Sequence, residues 1–264
     1  MYDFDTIVDR SDSDSVKWRK YHGREIIPMW VADMDFQAPP AVIDALQQRT
    51  EHGVFGYGQP SPQLAQSVMD HIRQSFDWEI ESQWIVWLPG LVSGLNAACR
   101  TVGKRGDRIL TTVPIYPPFL SAPGNAGRQS VTTRMRFDQG KWQIDMDHLE
   151  SSIDPRTRMF NLCNPHNPTG RVFTRHELTQ LARICERHDL TICSDEIHCD
   201  LVLEPHCRHI PIASIAPEIA RRTITLMAPS KSFNIPGLSC AFAVISDDAL
   251  RQRFKRTISG IVPH

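Results

Sequence analysis

From residue 84 onwards, short apolar segments alternate with longer amphipathic ones. The short segments have the length and composition of buried strands, and the longer ones repeat apolar residues at helical spacing. Strands that alternate with helices form a mostly parallel sheet covered on both faces. We therefore expect an α/β protein, a three-layer sandwich built around a mostly parallel sheet.

The pattern also predicts where the elements lie. The predicted strands cover residues 84–88, 107–113, 130–137, 158–163, 190–194, 223–227 and 240–245, and the predicted helices cover residues 38–52, 63–76, 91–102, 174–188 and 247–258. Thr174 and Glu177 form a capping box at the start of one helix, and Gly53 ends another. The first 25 or so residues are acidic and irregular, which predicts an extended arm.

Composition limits the possible partners and compartments. The chain has 264 residues, of which 41% are hydrophobic, and a net charge of -1. This balance leaves no basic excess for nucleic acid or an anionic membrane. Apolar runs fall short of the roughly 18 residues of a membrane span, and the acidic N-terminus is unlike a secretory signal. Seven irregularly spaced cysteines are typical of reduced thiols, which predicts a cytoplasmic protein.

One cluster contains residue types that bind metals. It consists of His198, Cys199, His206, Cys207 and His209. The spacing lacks the repeated pairs of a zinc finger. We therefore favour a strand and loop with incidental thiols over a metal site, and we predict no metal.

Ligands of such sheets bind beyond the carboxyl ends of the strands, so the loops there are candidate sites. Lys231 follows the strand 223–227 and is flanked by Ser230 and Ser232. Its amine is placed to form an imine, and the two hydroxyls are placed to bind a phosphate. The alternative for an isolated Ser-Lys-Ser is an ordinary solvated lysine.

Acidic and imidazole side chains follow the strand 190–194. Asp195 and Glu196 end this strand, and His198 comes three residues after Asp195. A carboxylate here can pair with a protonated pyridine nitrogen, and the histidine can reach a ring oxygen. The alternatives are two helix-capping acids and a structural histidine.

Three further loops carry candidate groups. Asn167 lies in Asn-Pro-His-Asn-Pro-Thr-Gly at residues 164–170, where an amide can donate to a ring oxygen and a plain turn is the alternative. Gly90 opens a strand-to-helix turn whose free N–H groups, with Leu91 and Val92, suit a phosphate. The alternative is an ordinary strand-to-helix turn, because the sequence of such a turn looks much the same with or without a phosphate. Tyr116 follows the strand 107–113 and can stack on a ring or simply pack in the core.

Taken together, these groups are those that pyridoxal phosphate needs: an amine, an acid, an amide, an aromatic face and a phosphate cradle. Each group alone has an ordinary structural explanation. Their joint order along one alternating fold indicates a pyridoxal-phosphate enzyme.

Four motifs carry a resemblance to a known family. They lie at residues 30–36 (Trp-Val-Ala-Asp-Met-Asp-Phe), 53–57 (Gly-Val-Phe-Gly-Tyr), 194–198 (Ser-Asp-Glu-Ile-His) and 230–236 (Ser-Lys-Ser-Phe-Asn-Ile-Pro). The chain resembles the fold-type-I pyridoxal-phosphate enzymes, the class I/II aminotransferase superfamily. Within it the chain is similar to the MalY/PatB-like cystathionine beta-lyase branch, from Phe4 to the end.

The resemblance implies a role for each candidate residue. Lys231 would carry the Schiff base, Asp195 would hold the pyridine nitrogen, and Tyr116 would stack on the ring. The remaining implied cofactor-binding residues are Asn167 and His198 at the ring oxygen and Gly90, Leu91, Val92, Ser230 and Ser232 at the phosphate. The resemblance also implies a homodimer in which Tyr57 reaches the phosphate of the neighbouring subunit.

Two departures from the superfamily affect the expected activity. Typical aminotransferases carry an arginine eight residues after the lysine, and this chain has Ser239 at that position. The lyase branch also lacks this arginine, so the departure favours a lyase over an aminotransferase. The family also continues into a small C-terminal domain that binds the substrate carboxylate. We therefore expect residues 1–37 to form an arm or part of a small domain, residues 38–264 to form the large domain, and the C-terminal small domain to be absent.

The expected function is cleavage of a sulfur amino acid. A lyase of this branch releases a thiol, pyruvate and ammonia from L-cystathionine or related cysteine S-conjugates, as in methionine biosynthesis. The alternatives are a class I/II aminotransferase and a catalytically inert truncated fragment. A nucleic-acid-binding module fits the charge balance least.

Overall fold

The computed structural model describes residues 3–262, which form two compact units. The arm unit comprises residues 3–58 and Pro229–Ser239, and the sheet unit comprises Gln59–Ala228 and the chain from Cys240 onwards. The predicted division into an arm (residues 1–37) and a large domain (residues 38–264) stays a prediction. Residues 1, 2, 263 and 264 of these two ranges lie outside the described part of the chain.

An eight-stranded mixed sheet forms the centre of the sheet unit. The strands are β1 (Ile85–Leu88), β2 (Arg108–Val113), β3 (Gln129–Asp138), β4 (Lys141–Ile144), β5 (Thr157–Cys163), β6 (Thr191–Asp195), β7 (Thr223–Met227) and β8 (Ala241–Val244). Their order is β1-β8-β7-β6-β5-β2-β3-β4. Five neighbouring strands, β7, β6, β5, β2 and β3, pair in parallel. Strand β8 is antiparallel to both β1 and β7, and β4 is antiparallel to β3. The expectation of a mostly parallel sheet is confirmed.

The helices complete the two units. They are α1 (Val16–Arg19), α2 (Pro40–His52), α3 (Pro62–Phe76), α4 (Leu91–Thr101), α5 (Pro118–Asn125), α6 (Met146–Ser151), α7 (Arg175–Arg187), α8 (Pro217–Arg221) and α9 (Asp248–Ile258). The capping box of Thr174 and Glu177 is present at α7, and Gly53 ends α2 in the left-handed conformation with φ 70°. Among the described residues, no helix is long and apolar enough to cross a membrane.

Apolar clusters on opposite faces of the sheet give the three layers. On one face, Leu95 of α4, Phe119 of α5 and Phe254 of α9 belong to one buried cluster. On the other face, Leu178 of α7 packs in a second cluster with Phe160 of β5. Each of these side chains is at most 1% exposed, so helices cover both faces and the predicted three-layer sandwich is confirmed.

A glycine lets α4 approach the sheet closely. A Cβ atom at Gly94 would lie 2.8 Å from a methyl carbon of Leu88 and 3.0 Å from one of Leu226. A larger residue would therefore push the helix off strands β1 and β7. This close packing fixes the N-terminus of α4, which follows Gly90, against the sheet.

Residues 3–25 differ in part from the expected extended arm. Val16–Arg19 form α1, and the side chain of Ser15 accepts a hydrogen bond from the backbone N–H of Trp18 at its start. Lys17 is only 6% exposed although it is charged. Outside this short helix the described residues of the segment are irregular, as predicted. The segment is not extended, however, because ion pairs with two aspartates further along the chain fold it back.

Candidate functional site

Four of the strands present their carboxyl ends at one edge of the sheet. Strands β2, β5 and β6 run parallel, and β1 has the same direction as β7 because both are antiparallel to β8. The loops that follow β1, β2, β5 and β6 carry most of the predicted site residues, namely Gly90, Leu91, Val92, Tyr116, Asn167, Asp195 and His198. The sheet therefore places seven predicted residues along one edge.

Asp195 is a buried carboxylate at this edge. It is the last residue of β6 and is 4% exposed. Its Oδ1 accepts a hydrogen bond from the backbone N–H of Ile197 at 3.1 Å, and its carbonyl accepts one from the N–H of Asn164 at 3.0 Å. Backbone bonds thus hold both the main chain and the side chain of Asp195 in place.

The loop after β5 uses its two asparagines differently. The Asn164 side chain is bound to the protein, since its Oδ1 accepts from the N–H of Phe173 at 3.1 Å. Asn167 is held by its backbone, with its N–H donating to Cys163 Sγ at 3.3 Å. The Asn167 side-chain amide makes no hydrogen bond within the part of the chain that the structure describes. This separates a structural asparagine from one with a donor to offer.

The loop carrying Tyr116 is joined to the asparagine loop. The N–H of Tyr116 donates to the carbonyl of Asn167 at 3.1 Å, so the two loops form one backbone unit. The Tyr116 side chain is 40% exposed, while the neighbouring Phe119 is fully buried. Phe119 therefore packs in the core, whereas the ring of Tyr116 lies at the surface, which argues against core packing as the role of Tyr116.

The N-terminus of α4 is open. Gly90 precedes the helix without any side-chain cap, and a Cβ atom built on it would meet nothing within 4 Å. The first N–H groups of a helix have no partners within the helix, and the end carries partial positive charge. Leu91 is buried and Val92 is half-exposed at 42%, so the backbone here can face an anion.

The remaining predicted residues lie in different places. His198 is half-buried in the turn after β6, where its carbonyl accepts from the N–H of Leu201 at 2.9 Å. In the arm unit, Lys231 lies in a turn in which the N–H of Ile235 donates to the carbonyl of Ser230 at 3.0 Å. Tyr57, in the same unit, is fully exposed.

These residues fit pyridoxal phosphate by their donor chemistry. The sheet edge has a buried carboxylate for a ring nitrogen, an amide that makes no hydrogen bond to the described residues, an exposed phenol ring and a helix N-terminus without a side-chain cap. The arm unit, described by itself, contains an amine, Lys231, which follows Ser230 and precedes Ser232 in the sequence. The chemistry of this set matches the needs of the cofactor group by group.

Sequence reasoning missed a buried network next to Asp195. Glu196 Oε2 lies 2.7 Å from Nε2 of His209, with both side chains 0% exposed. Glu196 Oε1 accepts from the hydroxyl of Ser194 at 2.8 Å and from the N–H of Ile212 at 3.3 Å. The histidine thus pairs with a carboxylate, and the described residues include no group of three or more side chains arranged for a metal.

His166, next to Asn167, makes the site region sensitive to acid. It is 2% exposed, and burial lowers the pKa of its imidazole from 6.5 to about 4. Nδ1 lies 2.9 Å from the hydroxyl of Thr169, while Nε2 has no partner within the described residues. Because the unfolded chain binds this proton more readily, stability present above pH 6.5 is lost as the pH falls towards 4.

We expect the free energy of unfolding to drop by about 2 kcal/mol between pH 7 and pH 5 through this group. Urea titrations at the two pH values measure the drop, and His166→Gln should remove it. His176→Gln, at an exposed position, serves as the control and should keep the wild-type dependence. An unchanged pH dependence in His166→Gln would contradict the assignment.

The sheet order and the loops at its edge define the fold of the type-I pyridoxal-phosphate-dependent transferases. The chain belongs to the aminotransferase class I and II family, whose model matches residues 24–262. Cystathionine beta-lyase PatB of Bacillus subtilis is 37% identical over 260 residues, 97% of this chain and 67% of the relative. The resemblance to the cystathionine beta-lyase branch is therefore confirmed.

Solved structures give the same result. The crystal structure of OvoB is 49% identical with a TM-score of 0.96, and the match covers 100% of this chain and 69% of that one. A pyridoxal-phosphate-bound C-S lyase from Staphylococcus hominis is 30% identical with a TM-score of 0.91, covering 98% and 66%. This chain spans about two thirds of the length of these relatives.

Proposed function

We propose that the protein is a pyridoxal-phosphate-dependent carbon–sulfur lyase that cleaves L-cystathionine or related cysteine S-conjugates. The observation that carries this proposal is the single sheet edge that joins the buried Asp195 carboxylate, the linked loops of Asn167 and Tyr116, and the open N-terminus of α4. The relatives named as cystathionine beta-lyase and C-S lyase support the choice of reaction.

Each residue has a task in holding the cofactor. Lys231 would bind it covalently through Nζ, and Asp195 would keep the pyridine nitrogen protonated. Tyr116 would stack on the ring. The groups at the ring oxygen would be Asn167 and His198, and those at the phosphate would be Gly90, Leu91, Val92, Ser230 and Ser232.

The chemistry follows from these tasks. Pyridoxal phosphate, when bound, withdraws electrons from the α-carbon of an amino acid. The substrate amine would take the place of Lys231 on the cofactor, and the released Nζ would act as general base and take the α-proton. The β-carbon–sulfur bond then breaks with its electron pair on sulfur, which leaves as a thiol after taking a proton. Addition of one water gives pyruvate and ammonia, so cystathionine plus water yields homocysteine, pyruvate and ammonia.

A second candidate reaction is transamination, since Lys231, Asp195 and Asn167 serve both reactions. Ser239 favours the lyase. It occupies the position of the phosphate-binding arginine of typical aminotransferases, and it is an exposed residue with φ 53° at the end of a single 3-10 turn. A serine hydroxyl there offers no positive charge to a phosphate.

The subunit and cellular context belong to the same proposal. A homodimer is supported by the exposed apolar segment around Tyr57, where Val54 and Phe55 are 64% and 70% exposed. In it, Tyr57 would reach the phosphate of the neighbouring subunit. All seven cysteines are free thiols and five are buried, which suits a reducing compartment such as the cytoplasm. Residues 38–264 would act as the large domain.

An assay with L-cystathionine tests the reaction. We expect the chain supplied with pyridoxal phosphate to release pyruvate and free thiol in equal amounts without any keto-acid acceptor, because elimination needs only water. Pyruvate is followed with lactate dehydrogenase and thiol with a chromogenic disulfide. Turnover only with an added keto acid would indicate an aminotransferase. Absence of turnover with either reagent would indicate an inert fragment.

A further inference from the structure

We propose that Asn234 is a positioning residue that fixes the turn carrying Lys231 to the segment 33–36 of the arm unit. The inference rests on the proposed function, in which Lys231 is the reacting amine. It is derived entirely from contacts inside the arm unit.

Backbone bonds close the turn around Lys231 into a compact loop. The N–H of Phe233 donates to the carbonyl of Pro229 at 3.0 Å, and the N–H of Ile235 donates to that of Ser230, also at 3.0 Å. The N–H of Asn234 approaches the Lys231 carbonyl at 3.4 Å. These bonds join the backbone of Asn234 to that of Lys231, so a contact that fixes Asn234 also restrains the backbone of Lys231.

The Asn234 side chain hydrogen-bonds to the backbone of a segment that is distant in sequence, residues 34–36. Its Oδ1 accepts from the N–H of Met34 at 2.9 Å, while its Nδ2 donates to the carbonyls of Met34 at 3.3 Å and Phe36 at 2.9 Å. One side chain thus uses three hydrogen bonds to join positions 200 residues apart. An amide is the group that suits this role, because it accepts and donates side by side.

The backbone of Asn234 adds a second reason for this residue type. Its φ is 52°, in the left-handed region that asparagine tolerates better than most residues. In this conformation the side chain makes its three hydrogen bonds to Met34 and Phe36. Conformation and hydrogen bonding therefore select the same side chain.

The segment that receives Asn234 is itself anchored by a cluster of charges. Arg10 donates to Asp33 and to Asp35, each at 2.7 Å, and the buried Lys17 donates to Asp35 at 2.7 Å. The indole N–H of Trp18 also donates to Asp35, at 2.8 Å. Burial raises the pKa of Asp35, but hydrogen bonds from Lys17, Trp18 and Arg10 outweigh it and leave the pKa lowered.

The anchor and the turn meet at one carbonyl. Arg10 donates to the carbonyl of Met34 at 3.3 Å, which Asn234 also binds. A chain of contacts therefore runs from the charged cluster through Met34 to the Lys231 loop. A lysine side chain has a flexible four-carbon stem, so a fixed backbone is needed to keep its amine within reach of the substrate α-proton.

The test replaces the side chain without straining the backbone. Asn234→Gly keeps the left-handed conformation and loses all three hydrogen bonds, and Asn234→Asp keeps only the acceptor. With cofactor bound, we expect kcat for pyruvate formation to fall roughly 10- to 100-fold, the scale of losing a supporting residue, with KM changed less than about threefold. The midpoint of the pH titration of the visible cofactor band should shift, and Asn234→Asp should be intermediate.

Trypsin gives a readout that needs no activity. Trypsin recognises a free lysine amine, so the full chain is digested without pyridoxal phosphate. Release of the turn should speed cleavage after Lys231 at least several-fold in Asn234→Gly, followed by mass spectrometry. Gln139→Gly is the matched control, because Gln139 has a comparable φ of 49° in the turn between β3 and β4 and should behave as wild type in every measurement.

The two proposals fail in different ways. Equal cleavage rates in wild type and Asn234→Gly, both free of pyridoxal phosphate, would overturn the positioning role. An unchanged titration midpoint and kcat in Asn234→Gly would also overturn it. Wild-type chain that takes up no pyridoxal phosphate, while cleavage after Lys231 still accelerates in Asn234→Gly, would instead refute the proposed function and leave Asn234 as the tether of that turn.

Discussion

Lys231→Ala is expected to abolish covalent retention of pyridoxal phosphate and to lower pyruvate formation by about 10³-fold or more. The alanine has no amine to bond with the cofactor aldehyde and no base to take the α-proton, so both tasks disappear together. Borohydride reduction followed by peptide mass analysis measures the first loss. The lactate dehydrogenase assay with L-cystathionine measures the second.

Two further variants sharpen this result. Lys231→Arg keeps a positive charge but cannot form the covalent bond, so it should resemble the alanine variant if the amine itself is required. Lys20→Ala removes an exposed lysine of the same unit, which lies over the ring of Trp30 at 4.1 Å, and should leave both measurements unchanged. Cofactor still attached after reduction in Lys231→Ala would show that another lysine reacts.

Much of the sheet unit was predictable because its signals are local. Each buried strand is a short apolar run, and the predicted strand 223–227 has the same bounds as β7. Helix α7 carries its own start signal in Thr174 and Glu177. Periodicity and capping act over a few residues, so they survive without knowledge of tertiary contacts.

The elements that sequence reasoning missed have misleading local signals. Helix α5 begins at Pro118 and contains Pro123, and prolines at this density predict a loop. The helix exists because Phe119 and Ala122 are fully buried in the core cluster beside α4. Strand β4 has only four residues and is defined by its pairing with β3, so its own sequence gives little indication.

The candidate site shows the same division. Asp195, Asn167 and Gly90 could be proposed because parallel strands bring their following loops to one edge, whatever the sequence separation. The partners of Asn234 lie 200 residues away, and spacing carries no information at that range. The sequence neighbours of His209 include other potential metal ligands, but in the structure its imidazole pairs with Glu196.

Asp195 and Glu196 illustrate how adjacent acids acquire different tasks. Asp195 ends β6 at the edge where the cofactor would bind, and its Oδ1 accepts from the following turn. Glu196 is directed instead to a buried pocket with His209, Ser194 and the N–H of Ile212. The glutamate thereby ties the loop after β6 to the chain 13 residues further on.

This tie makes His209→Ala the most destabilising substitution that we expect in the sheet unit. The change leaves the Glu196 carboxyl, 0% exposed, without its partner at 2.7 Å, and removes the ring that packs edge-on against Phe76 at 5.3 Å. Breaking a buried pair by removing one partner costs about 3–5 kcal/mol. Urea denaturation followed by far-UV circular dichroism measures the loss, which should lower the melting temperature by on the order of 10 °C.

An exposed pair in the same unit provides the control. His71 Nε2 lies 3.0 Å from Asp200 Oδ1, but the side chains are 45% and 23% exposed, so His71→Ala should cost less than about 1 kcal/mol. Replacing both buried partners, in His209→Leu with Glu196→Leu, should recover much of the loss because no carboxyl is then left buried alone. Equal losses in His209→Ala and His71→Ala would contradict the tie, since the expected difference in cost comes from the burial of the Glu196 pair.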